Sequence, residues 1–219
     1  MKDRLRAVCF DLDGLMFNTE ELYQEVGSAI LARRGKPVTK ALLDQMMGRP
    51  GRIALQIMID HHGLDATVAD LQRETDEIFP AILDDRLAPM PGLLNLLTLL
   101  EQAGIPKAIA TSSRRSFAVD VLARFDLEPR FSFLLTAEDV QLGKPHPEIY
   151  LSAAARFGQP PAAMLVLEDS GHGCQAAVAA GAFAVAVPAG HSREHDFSGV
   201  QFQADSLEDG RILEALGIA

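Results

Sequence analysis

Two aspartates two positions apart, Asp11 and Asp13, close a short apolar run in the segment Phe10-Asp11-Leu12-Asp13-Gly14. Three more clusters of chemically able side chains follow later apolar runs in the same way: Thr111-Ser112-Ser113, Gly143-Lys144-Pro145 and Glu168-Asp169-Ser170. Hydroxyls and an ammonium can hold the oxygens of an anion, and carboxylates can share a hard divalent cation. A carboxylate attacks a phosphoryl group, itself negative, only when a cation and fixed donors offset the charge. The set suits phosphoryl transfer if the fold brings all the clusters to one edge.

Positioning them requires strands that end together. Apolar runs of strand length cover residues 7–10, 107–110, 131–135, 164–167 and 183–187, and stretches of helical period cover 92–103, 115–125, 147–157 and 171–180. Continuous apolar runs suit strands buried on both faces, and alternation of strand with helix predicts an α/β fold with a doubly wound, mainly parallel, Rossmann-like sheet. In such a sheet ligands sit beyond the carboxyl ends of the strands, which is where the four clusters fall. Residues 15–85 break the alternation: helical patterns at 20–34, 40–47, 52–62 and 68–83 come with no convincing strand, and turns fall at 35–37, 48–51 and 63–65. This interval reads as an inserted helical domain, with residues 1–14 and 86–219 forming the sheet domain.

The chain's 219 residues, 48% hydrophobic and 23% charged, can bury a sizeable core. A formal net charge of -10 and a pI near 5.0 argue against nucleic acid or a membrane surface as partner, because polyanions are held by clustered Lys and Arg. Cys9 and Cys174 are far apart and in no C-x-x-C pair, so neither a thiolate zinc site nor a disulfide scaffold is expected. The first apolar run is too short for a signal peptide, and a cytoplasmic monomer is the expected state.

The stretches FDLDGLMFNTE, ATSS, GKPHPEIY and EDSGHGCQAAVAAGA, in this order, resemble the motifs of the haloacid dehalogenase superfamily of phosphotransferases. The branch they are most similar to contains beta-phosphoglucomutase and related sugar-phosphate phosphatases. The resemblance implies a core of that superfamily with an inserted helical cap, Mg2+ as cofactor and a small phosphorylated metabolite as partner. Asp11 would be the nucleophile, since an ionised carboxylate needs no deprotonation, and Asp13 the general acid and base. Asp11 and Asp169 would hold the ion, joined through the resemblance by the backbone carbonyl of Asp13, with Glu168 a further or water-mediated ligand. Lys144 would pair with both phosphate and nucleophile, and Thr111 and the Ser112 amide would donate to phosphate oxygens. The family analogy extends substrate contact to Ser113 and Arg114.

Read one by one, these residues have plainer roles. Asp11 and Asp13 could be turn formers, Glu168-Asp169-Ser170 could open a helix with Ser170 as its cap, and Cys9 reads as a packed thiol. His61, His62, His172, His191 and His195 lack ligand spacing around a second metal. In the helical interval, Arg49 and Arg52 would put cations on a turn suited to a second phosphate or a sugar carboxylate. That turn runs Arg-Pro-Gly-Arg where mutases carry a Gly-x-Ser-Arg type sequence, and Asn18 stands where many relatives carry Asp. The expected function is therefore a Mg2+-dependent phosphatase of small phosphate monoesters. The alternatives are a phosphohexose mutase of the beta-phosphoglucomutase type and a metabolite-binding protein without turnover.

Overall fold

The computed structural model describes residues 5–46 and 51–218. Its elements in chain order are β1 (Ala7–Phe10), α1 (Thr19–Ala32), α2 (Lys40–Met46), α3 (Gly51–His62), α4 (Val68–Arg86), α5 (Leu93–Gln102), β2 (Lys107–Ala110), α6 (Arg115–Ala123), β3 (Leu134–Leu135), α7 (Glu148–Phe157), β4 (Met164–Glu168), α8 (Gly171–Ala179), β5 (Phe183–Ala186), β6 (Phe202–Gln203) and α9 (Gly210–Leu216), with short 3-10 turns between some of them. They divide into two compact units: the residues up to Phe17 together with those from Pro89 onward, and residues 18–88. Among the described residues no helix is long and apolar enough to cross a membrane.

The first unit holds a sheet in the order β3-β2-β1-β4-β5-β6, with every neighbouring pair parallel. The chain winds outward from β1 through β2 to β3, then returns to the other side of β1 for β4, β5 and β6. The reversal opens a crevice at the carboxyl ends of β1 and β4, where open α/β sheets bind ligands. Every residue of β1, β2 and β4 is buried, as the apolar runs imply. One face of the sheet is lined with small residues, Ala7, Cys9, Ala110 and Ala184, meeting Ala153 and Ala154 of α7 and Ala176 and Ala177 of α8. Small side chains on both surfaces let helix and sheet approach closely, and the same cluster encloses Tyr150 of α7.

The sheet departs from the sequence reading at its edges. The expected strand at 131–135 shortens to Leu134–Leu135, because Phe131 turns edge-on to Phe10 at 6.0 Å and Phe133 meets Phe157 at 4.7 Å between ring centroids. β6 adds a sixth strand of two residues beside β5, and α9, capped by Asp209 on the Arg211 amide, closes the chain.

The second unit, α1 to α4, is tied within itself by polar contacts. Thr67 and Asp70 form a reciprocal capping box that starts α4, Arg34 pairs with Glu74, and Tyr23 stacks on Phe79 at 4.5 Å. Asn18 closes the base of the unit: its Nδ2 donates to the Arg86 carbonyl at 3.1 Å, and its Oδ1 accepts from the Ala88 amide at 2.8 Å. An aspartate could accept but not donate, so the amide suits this place.

Lys107, the first residue of β2, is buried, and its ammonium pairs with Glu101 of α5 at 2.9 Å; Arg130 binds the same carboxylate at 2.8 Å. Arg130 and Lys107 hold the Glu101 carboxyl down from 4.5 to about 2. A lowered carboxyl contributes stability that is present above its unfolded value and lost as pH falls through its folded one. Glu101 is 41% exposed, so screening reduces the expected loss in Glu101→Gln to about 1 kcal/mol at pH 7. Urea unfolding should show that difference at pH 7, shrinking below pH 4.5 and closing as pH approaches about 2.

Candidate active site

The loop after β1 is fixed from both ends. The Asp11 amide donates to the Leu167 carbonyl at 3.0 Å, extending the pairing of β1 with β4 by one residue. The Leu12 carbonyl accepts from the amides of Met16 and Phe17, and Gly14, at φ 75°, turns the chain so that its own amide reaches the Phe17 carbonyl at 2.9 Å. Leu12, Leu15, Met16 and Phe17 are fully buried and anchor the turn. Asp11 is thereby buried, at 6% exposure, and Asp13 half-buried two residues on.

Three further loops meet this one. Lys144 donates to Asp11 Oδ1, to Glu168 Oε1 at 2.8 Å and to the Ala110 carbonyl at 2.9 Å, which uses all three of its N–H bonds. Glu168, the last residue of β4, also accepts from the Tyr150 hydroxyl at 2.7 Å on Oε1, and from the Ser170 amide and hydroxyl at 3.2 and 3.0 Å on Oε2. Ser170 caps α8 by accepting from the Gly173 amide at 3.1 Å. Asp169 is buried beside them, and Asp11, Glu168 and Asp169 each offer a carboxylate oxygen within 4.8 Å of the others.

Such a grouping of acids is short of positive charge. Burial pushes the Asp11 carboxyl well above the usual range; Lys144 opposes the shift, while Glu168 and Asp13 add to it. Lys144 is itself driven up, because Asp11 and Glu168 outweigh the burial that disfavours its charge. One ammonium does not offset the charge of these buried acids, and a divalent cation held by oxygen ligands would do so. The donor set therefore fits a hard metal ion.

The hydroxyl loop faces Asp13. Thr111, fully buried at the end of β2, donates from Oγ1 to Asp13 Oδ2 at 3.1 Å, and Ser113 Oγ donates to the same oxygen at 2.6 Å. The Ser113 amide donates to Thr111 Oγ1 at 2.9 Å, so the two hydroxyl residues brace one another. Ser112 between them is exposed, and Arg114, also exposed, is the residue before α6. Thus Asp11, Asp13, Thr111, Ser113, Lys144, Glu168 and Asp169 stand around the ends of β1, β2 and β4. Arg52 is an exposed residue of α3 in the other unit, and Arg49 lies outside the described residues.

Residues 8–187 match the family of haloacid dehalogenase-like hydrolases. The chain belongs to that family. It is 33% identical over 177 residues to a phosphorylated carbohydrates phosphatase of Thermotoga maritima, covering 81% of this chain and 82% of the relative. It is 31% identical over 196 residues to the validoxylamine A 7'-phosphate phosphatase of Streptomyces hygroscopicus subsp. limoneus, covering 86% and 88%. Among solved structures, CbbY from Rhodobacter sphaeroides in complex with phosphate superposes with a TM-score of 0.81 at 27% identity, over 97% of this chain and 99% of that one.

Two residues of this family member lie within the motif stretches but received no role from the sequence. Tyr150 lies six positions beyond Lys144, and the signal was a lone hydroxyl on the apolar face of α7 formed by Ile149, Ala153 and Ala154. Gly173 falls in the first turn of α8, where no turn demands a glycine. A Cβ placed on it would lie 1.7 Å from Glu168 Oε1, so the position is glycine because the carboxylate occupies that space. Burial pushes the Cys9 thiol above its usual range, consistent with a packed side chain, and His195 accepts from the Gly171 amide at 3.1 Å.

Gly173→Ala sets two effects against each other. Within a helix, alanine ordinarily stabilises by about 1 kcal/mol relative to glycine. Here the clash with Glu168 should reverse the sign, giving a lower melting temperature in thermal unfolding and loss of most activity. A melting temperature at or above the wild-type value would contradict the packing described.

Proposed function

We propose that the protein is a Mg2+-dependent phosphatase that hydrolyses small phosphate monoesters, sugar phosphates among them, through a phosphoryl group carried transiently on Asp11. The observation that carries the reading is the meeting of Asp11 with Asp169 and Lys144 at the switch point of the sheet, with Asp13 two residues away. The phosphatase names of its relatives support the same reaction class.

Asp11 and Asp169 would hold the ion with their carboxylates and Asp13 with its backbone carbonyl. Glu168 would reach it through water, since its oxygens already accept four donors from the protein. When bound, Mg2+ offsets the negative charge of the carboxylates and of the phosphoryl oxygens. Asp11 attacks phosphorus from beside Lys144, whose charge draws nucleophile and phosphate together. Asp13 protonates the departing ester oxygen, and then takes a proton from the water that cleaves the Asp11 acyl phosphate. Thr111 Oγ1 and the Ser112 amide donate to phosphoryl oxygens, and Ser113 joins them. In the described structure the hydroxyls of Thr111 and Ser113 rest on Asp13, so arrival of a phosphate would draw them away and release that carboxyl to act.

The test is release of inorganic phosphate from a panel of monoesters with and without Mg2+. Release should depend on Mg2+, cease with a chelator, and fall at least about a thousandfold in Asp11→Asn. Undiminished release in chelator, or an Asp11→Asn enzyme as active as wild type, would exclude this mechanism.

A further inference from the structure

We infer that Tyr150 is a positioning residue of the active site: its hydroxyl fixes the Glu168 carboxylate and, through it, the place of the Lys144 ammonium against Asp11. The inference rests on the phosphatase reading only in that it gives Lys144 a phosphate to bind.

A lysine ends a flexible four-carbon stem, so its charge stands where its acceptors put it. Lys144 has three acceptors for three N–H bonds: the Ala110 carbonyl, Asp11 Oδ1 and Glu168 Oε1. The first is backbone at the end of β2, and the second sits on the anchored loop after β1. The third is the free end of a glutamate side chain, and the lysine is held only as well as that carboxylate is.

The surroundings of Glu168 supply the restraint. It is fully buried, Gly173 leaves it space by lacking a Cβ, and Ser170 binds Oε2 with both amide and hydroxyl. Oε1 is shared between Lys144 and the Tyr150 hydroxyl, the latter at 2.7 Å. Tyr150 is inaccessible to solvent, and its ring lies 5.1 Å from Lys144 Nζ, so one side chain touches both members of the pair. Without the hydroxyl, Oε1 would have a single donor, and the carboxylate would draw the ammonium toward itself and away from Asp11. Phenylalanine fills the same space, so the fold should persist and the change should fall on the lysine.

A double-mutant cycle separates this role from simple satisfaction of a buried group. Tyr150→Phe should lower kcat about tenfold, within the range for residues that orient the groups binding a reacting centre. In a Glu168→Gln background the same substitution should change kcat less than about twofold, since the carboxylate it positions is gone. Calorimetric titration of inorganic phosphate into the Mg2+-loaded proteins supplies a readout independent of turnover: affinity should fall about tenfold with Tyr150→Phe in the wild-type background and stay level in Glu168→Gln. An equal effect in both backgrounds, or less than about a twofold change in wild type, would overturn the inference. Absence of phosphate release by the wild type would count against the phosphatase reading alone, while phosphate binding would still decide the role of Tyr150.

Discussion

A buried ammonium between two buried carboxylates governs this molecule. Lys144 binds Asp11 on the loop after β1 and Glu168 at the end of β4, and it reaches β2 through the Ala110 carbonyl. The carboxyl ends of three strands are thereby joined at one charge. Removing one partner of such a pair typically costs 3–5 kcal/mol, because the other is left charged in a poorly solvating interior. Tyr150 and Ser170 hold the Glu168 carboxylate in place, and Thr111 and Ser113 hold Asp13 beside the pair.

The lysine does not balance the charge. Asp11, Glu168 and Asp169 lie within one ion's reach, and Asp11 is pushed toward its protonated form by burial and by its acidic neighbours. A site built only for stability would have no reason to gather three acids around one ammonium. The imbalance makes sense for a place that receives a divalent cation together with a phosphate, and the family to which the chain belongs is one of hydrolases.

Much of this was legible in the residues themselves. Each chemical cluster follows an apolar run, and parallel strands end together at one edge, so strand assignment alone converges Asp11, Thr111 and Glu168-Asp169. Lys144 was legible as a lysine in a turn and, through the family resemblance, as a partner of Asp11, but its contacts with Glu168 and the Ala110 carbonyl were not, because β3 ends at Leu135 and the lysine reaches back to other strands. β6 escaped notice since Phe202–Gln203 is a half-exposed pair with no apolar run, and α9 since seven residues carry little periodicity. Tyr150 and Gly173 reveal their purpose only against Glu168, which is a matter of packing between α7, α8 and the sheet rather than of local pattern. Asn18 was noted for what it replaces, whereas its contacts explain what it does.

In the proposed mechanism Asp11 carries the phosphoryl group. Enzyme mixed with Mg2+ and a hydrolysable monoester, then quenched in acid and treated with borohydride, should yield a peptide in which position 11 alone has become homoserine, the reduction product of an acyl phosphate. Steady hydrolysis with position 11 unmodified, and another residue phosphorylated in its place, would contradict the account.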